Sequence, residues 1–240
     1  MSTIFAHRGA SGHAPENTLE AFQLAVQMGA DGIELDVHLS SDGELIVIHD
    51  ETVDRTTNGS GLVSSKTLAQ LKELDASKGM EGFAGAKIPT LAEVYDLIRP
   101  TNLIVNVEIK TDNIMYADIE KKCLALEAEK GMQGRVIYSS FNHYTLANVL
   151  ALDPGAQTGL LYVSGLYQPW EYAKLNGAKF IHPHFRNLAL PGLVEGCLEN
   201  GIGINPWTIN DENIMKQCLK QNVGIITDYP DLAVRLREEG

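Results

Sequence analysis

Seven ionisable residues stand in short patterns suited to acid–base and phosphoryl chemistry. His7 adjoins Arg8, Glu34 and Asp36 are two apart, as are Glu108 and Lys110, and His49 stands beside Asp50. Residues two apart in a strand share a face, so Glu34 with Asp36, and Glu108 with Lys110, project one way while Ile33, Leu35, Val37, Val107 and Ile109 project the other. Three gathered carboxylates repel one another and lose hydration unless a cation offsets them. Oxygen-only ligands favour a hard divalent ion, Mg²⁺ or Ca²⁺, over zinc. Two imidazoles titrating near neutrality suit a paired acid and base, and Arg8 and Lys110 have the charge and donors to hold the equatorial oxygens of a phosphoryl group. Plainer roles compete at each position: a carboxylate paired internally with Arg8 or Lys110, a surface ion pair at Arg8, a structural histidine. For the whole set these roles are weaker, because neutralising so many buried charges internally is expensive.

Such residues can only meet if strands deliver them to one rim. Apolar segments read as strands at 4–6, 32–37, 103–109, 136–139, 158–162, 179–182, 203–207 and 224–227, and the stretches between them carry apolar residues at helical spacing, as in Leu19, Phe22 and Val26. Strands alternating with helices imply parallel pairing, and eight repeats predict an α/β fold closing as a TIM-like (β/α)₈ barrel, with an open doubly wound sheet as the alternative. Thr90 to Glu93 reads as a capping box, and Asn17 or Thr18 as the cap of the first helix. Leu45 to Ile48 follows the second strand too closely for a parallel crossover and predicts the returning arm of a hairpin turning at Asp42-Gly43, which brings His49 back to the rim. Residues 51–87 lack strand periodicity and read as a small inserted cap within a single domain spanning 1–240.

Among the other histidines, His13 is placed in a loop beside the site, His38 on the face away from Glu34 and Asp36, His143 near a helix start, and His182 and His184 in or near a loop after a late strand. Trp207 is a candidate apolar wall for the carbon part of a substrate, with a barrel-core aromatic as the competing reading.

The chain has 240 residues, 44% hydrophobic, with a formal net charge of −12. That length can bury a sizeable core, and the charge opposes nucleic acid and anionic membrane surfaces at long range. No run of about 20 apolar residues is present to span a membrane. No leader-like segment opens the sequence, and Cys123, Cys197 and Cys218 fall in apolar helical patterns, so reduced thiols and a cytoplasmic location are expected.

Taken in order, the motifs resemble the glycerophosphodiester phosphodiesterase family: His7-Arg8-Gly9 with Pro15-Glu16-Asn17-Thr18, Glu34-Leu35-Asp36-Val37, Asp42-Gly43 leading to His49-Asp50, Arg55-Thr56-Thr57-Asn58-Gly59, Ile88-Pro89-Thr90-Leu91, Asn106-Val107-Glu108-Ile109-Lys110, Ser139-Ser140-Phe141, Trp207-Thr208 with Asn210, and Thr227-Asp228-Tyr229-Pro230. The resemblance runs along essentially the whole chain. It implies a TIM-like barrel with a small insertion and hydrolysis of a glycerophosphodiester to sn-glycerol 3-phosphate and an alcohol such as choline or ethanolamine. It further implies His7 and His49 as catalytic acid and base, Glu34, Asp36 and Glu108 as ligands of one divalent cation, Mg²⁺ or Ca²⁺, and Arg8 and Lys110 as phosphate contacts. Trp207 matches the family's aromatic, while His182-Pro183-His184-Phe185 departs from its pattern and leaves the alcohol open. The order of the two histidines, the route through a cyclic phosphate or direct water attack, and a monomer or homo-oligomer are all left open. Two other functions compete: a phospholipase-type lipid phosphodiesterase, against which the acidic charge argues, and a non-catalytic sugar-phosphate or metal-binding barrel, which would not need two histidines.

Overall fold

The computed structural model describes residues 2–240. Its strands are β1 (Ile4–His7), β2 (Gly32–Leu39), β3 (Leu45–Val47), β4 (Ile104–Ile109), β5 (Val136–Ser140), β6 (Gln157–Tyr162), β7 (Phe180–Pro183), β8 (Gly203–Ile204) and β9 (Ile225–Thr227). The helices are α1 (Leu19–Gln27), α2 (Leu68–Glu73), α3 (Leu91–Ile98), α4 (Ile119–Lys130), α5 (His143–Leu152), α6 (Pro169–Leu175), α7 (Leu193–Glu199), α8 (Glu212–Lys220) and α9 (Pro230–Glu239). All strands but β3 are parallel, in the order β8-β7-β6-β5-β4-β2-β1-β9. The ends of that order meet: Gly224 N donates to Ile204 O at 2.8 Å and Ile226 N to Pro206 O at 3.1 Å. The sheet is therefore the expected (β/α)₈ barrel, and the open doubly wound alternative is excluded.

Two-residue periodicity divides the core. Ile33, Leu35, Val37, Val107 and Ile109 join the large cluster between sheet and helices, while Phe5, Ile137 and Ile226, flanked by Phe180 and Trp207, fill the barrel interior. Glycines make room there: a Cβ on Gly32 would lie 2.7 Å from the Phe5 ring, and one on Gly159 would lie 2.5 Å from His182 Nε2. Barrel interiors are packed with side chains, and small residues facing large ones let the layers fit.

Local signals begin the elements that carry the site. Thr18 caps α1 by accepting from Ala21 N, and the capping box of Thr90 and Glu93 starts α3, each cap contributing about 1 kcal/mol. Gly9 turns the chain after β1 at a φ of +80°, where its Cα packs so close to Ala21 that a Cβ would clash with backbone. β3 returns antiparallel to β2 with Val37 opposite Val47 and Leu39 opposite Leu45, as the hairpin pattern predicts. After it, Ile46, Ile48, Val53, Val63, Leu71, Ala76 and Ile88 form a hydrophobic cluster separate from the main core.

Candidate active site at the barrel rim

Register between strands brings the distant residues together. His7 on β1 lies opposite Glu34 on β2, and Asp36 lies opposite Glu108 on β4. Arg8, at a left-handed φ of 55°, donates its backbone N–H to Glu34 Oε2 at 2.9 Å, and its guanidinium lies 3.5 Å from Asp36. Lys110 Nζ donates to Glu108 Oε1 at 2.8 Å and lies 3.5 Å from His49 Nε2. All seven residues singled out by type and spacing thus meet at the carboxyl ends of β1, β2 and β4 and on the returning β3 arm.

The two imidazoles are held alike. His7 Nδ1 meets Asp228 Oδ1 at 2.6 Å, and His49 Nδ1 meets Asp50 Oδ1 at 2.6 Å. Burial alone would push Asp50 up, but hydrogen bonds from Arg55 and His49 bring it down to about 2. Burial is likewise outweighed at Asp228, which bonds from His7, Asn210 and Ser11 bring down to about 2. An ionised carboxylate only accepts, so each imidazole donates from Nδ1; Nε2 is the nitrogen left for the site, and that of His49 lies 3.5 Å from Lys110 Nζ. For His49, burial followed by Arg8 and Lys110 outweighs the pull of Asp36 and Asp50, and its pKa falls below the ordinary histidine value.

Glu34, Asp36 and Glu108 are buried, and each offers an oxygen within 4.8 Å of the others. Their protonation is pulled apart. Burial, then the charges of Asp36 and Glu108, lifts Glu34 well above the carboxylate range; burial and Asp36 push Glu108 up to about 7. At Asp36 burial is overcome by Arg8, His49 and Lys110, which hold it well below that range. Asn17 Nδ2 donates to Asp36 Oδ2 at 2.8 Å, whereas Asp36 Oδ1 is buried without a hydrogen-bond partner. An all-oxygen donor set with an orphaned carboxylate oxygen fits a hard divalent cation. The cationic side chains are firmly charged. Burial opposes both, but Asp36 and Glu16 outweigh it at Arg8, and Glu108 and Asp36 do so at Lys110.

Trp207 lies on the opposite side of the same rim. Strand β8 ends at Ile204, earlier than the expected 207, and Trp207 is carried past it on an isolated bridge to His184. Its Nε1 donates to His182 O at 2.8 Å, and Phe141 meets it edge to face at 5.5 Å. His182 is fully buried within β7 and bonded through Nε2 to Asn205 at 3.1 Å, so it is a strand residue rather than the loop residue expected. His38 differs from expectation more sharply. Two residues on from Asp36, it shares the Glu34 and Asp36 face by the same period, and its Nε2 bonds to His49 O at 3.0 Å. His13 bonds Asp231 at 3.0 Å on the surface, and His143 starts α5 as expected. The three cysteines are free and buried.

Five site residues were not foreseen as such: Asp50, Asp228, Glu16, Arg55 and Asn17. Asp50 and Asp228 had a usable signal, one being the neighbour of His49 and the other a carboxylate just past a strand end. Glu16, Asn17 and Arg55 stand within motifs that carry the family resemblance, but no local spacing names their partners, since Arg55 meets Glu16 and Asn17 meets Asp36 only through the fold.

Comparison with known proteins decides the family. A model of the glycerophosphoryl diester phosphodiesterase family matches residues 7–232. The chain belongs to that family. It is thus a phosphoric diester hydrolase. A glycerophosphodiester phosphodiesterase of Caldanaerobacter subterraneus subsp. tengcongensis is 48% identical over 239 residues, covering 99% of this chain and 98% of the relative. One from Bacillus altitudinis is 42% identical over 243 residues, covering 100% and 99%. Among solved structures, an Oleispira antarctica phosphodiesterase in complex with its product sn-glycerol-3-phosphate is 31% identical, covers 99% of this chain and 97% of its own, and has a TM-score of 0.87. No helix among the described residues is long and apolar enough to cross a membrane.

Proposed function

We propose that this phosphodiesterase hydrolyses glycerophosphodiesters such as glycerophosphocholine and glycerophosphoethanolamine to sn-glycerol 3-phosphate and the free alcohol, with His7 and His49 as the catalytic acid–base pair. The observation that carries this reading is the matched pair of imidazoles, each anchored through Nδ1 to an ionised aspartate and each leaving Nε2 for the reacting groups. Arg8 and Lys110 hold the phosphoryl oxygens, where their charge counts most in the transition state. Glu34, Asp36 and Glu108 hold one divalent cation, Mg²⁺ or Ca²⁺, which when bound supplies Lewis acidity and lowers the pKa of a nearby hydroxyl or water.

His49, with its lowered pKa, is neutral at pH 7 and takes the proton of the nucleophile at Nε2. His7, at the end of β1 on the other side of β2, protonates the departing alkoxide. The nucleophile is the glycerol 2-hydroxyl or water. The first gives a cyclic phosphate that water then opens, so trapping the cyclic phosphate separates the routes. Trp207 packs against the carbon part of the substrate, and residues 51–87 cap the reacting side of the mouth. Net charge is no obstacle to an anionic substrate, because Arg8, Lys110 and a bound cation would set positive charge against the buried carboxylates where the phosphoryl group sits.

The test is release of sn-glycerol 3-phosphate from glycerophosphocholine and glycerophosphoethanolamine with Mg²⁺ or Ca²⁺. Activity is expected with metal and is expected to disappear in EDTA. His49→Ala and His7→Ala are each expected to lower kcat by about 10²–10⁴-fold. A metal-loaded protein inactive on every glycerophosphodiester would refute the assignment, and full activity after verified metal removal would refute the cation alone.

A further inference from the structure

Arg55, in the segment after β3, is bonded to two carboxylates at once. Its Nε donates to Asp50 Oδ2 at 2.7 Å and its Nη2 to Asp50 Oδ1 at 3.1 Å; Nη1 donates to Glu16 Oε2 at 2.6 Å and Nη2 to Glu16 Oε1 at 2.8 Å. Each carboxylate passes the contact on. Asp50 Oδ1 also receives the Nδ1 proton of His49, and Glu16 Oε1 also receives Arg8 Nη1 at 2.9 Å. One planar guanidinium therefore ties the segment 51–87 to the ring of His49 on one side and to the guanidinium of Arg8 on the other.

We propose that Arg55 is a positioning residue that orients His49 through Asp50 and Arg8 through Glu16, so that the inserted segment sets the geometry of the reacting groups without touching substrate. The roles of His49 and Arg8 rest on the function proposed above. Only an arginine fork can serve both carboxylates in one plane, and a lysine ammonium is a point charge that reaches one of them. With Arg55 removed, Asp50 is free to turn away from Nδ1 and the imidazole can rotate or change tautomer. A displacement of about 1 Å at a reacting group costs on the order of 100-fold in rate.

The test pairs kinetics with histidine-ring NMR on the intact protein. Arg55→Gln is expected to lower kcat/KM for glycerophosphocholine by about 10–100-fold, as loss of outer supporting bonds commonly does, and Arg55→Lys should recover little of it. Nitrogen shifts of the His49 ring should change from a single Nδ1–H tautomer to a mixture in Arg55→Gln. In an Asp50→Asn, Glu16→Gln background the further addition of Arg55→Gln should cost less than about threefold, because the path is already broken. An unchanged His49 ring in Arg55→Gln, or an equal kinetic loss in both backgrounds, would overturn the proposal. The NMR result does not depend on turnover, so an inactive wild-type protein would refute the function proposed above and leave this test standing.

Discussion

At the scale of single residues, burial without an ionic partner is as informative as the paired groups. His182 has no accessible surface, accepts from Asn205 at Nε2, and has no partner for Nδ1. Burial alone pulls its pKa down to about 3, so the folded ring stays neutral where an unfolded histidine would take a proton. Since the folded pKa lies below the unfolded one, the stability tied to this residue is complete above about pH 6.5 and falls as pH drops toward 3. At about 1.4 kcal/mol per pH unit, chemical unfolding at pH 5 should show a loss of about 2 kcal/mol relative to about pH 8 from this group. Urea titrations of His182→Asn, which cannot take the proton, should show that much less acid sensitivity. An identical slope in both proteins would show the ring to be titrating in place.

Elements divide the labour between stability and chemistry. Strands β1, β2 and β4 bury alternate side chains against the helices and turn the others inward, Phe5 to the barrel interior and His7, Glu34, Asp36 and Glu108 to its rim. The segment after β3 has a different footing, with Leu71 of α2 fully buried against Ile46, Val53 and Val63 in a cluster of its own. Leu71→Ala leaves a cavity costing about 2–5 kcal/mol, and because that cluster is separate from the barrel core the loss should appear first within 51–87. Hydrogen exchange should speed up there while β4 and β5 remain protected. If exchange instead rises uniformly through the barrel strands, the segment and the barrel unfold as one unit. The same variant should lower kcat, since Arg55 is anchored in the loosened segment.

For the molecule as a whole, an excess of acid meets a concentrated buried site. Glu34, Asp36 and Glu108 keep three carboxylates within reach of one another with only Arg8 and Lys110 to offset them, so a cation that binds the folded chain alone must stabilise it. At a concentration 100 times its Kd, Mg²⁺ or Ca²⁺ should add about 2.7 kcal/mol and raise Tm. Glu34→Gln with Glu108→Gln should abolish that increment, as followed by calorimetry with and without the ion. A rise of equal size in the double variant would place the ion elsewhere on the acidic surface.

Much of this was legible in the linear chain. The alternation in Glu34-Leu35-Asp36-Val37 and Asn106-Val107-Glu108-Ile109-Lys110 assigned each side chain a face, because a strand repeats every two residues wherever it lies, and the eightfold repeat identified the barrel. His38 obeys that same period, two residues on from Asp36, so its place on the Asp36 face is legible in the spacing as well. What the chain alone could not determine is which distant groups touch. Asp228 reaches His7 across 221 residues because β9 closes the barrel beside β1, and Arg55 joins Glu16 across 39 because the hairpin folds back over the first loop. Pairing at such separations is decided by closure and register, which are collective properties of the packed sheet, and no local spacing encodes them.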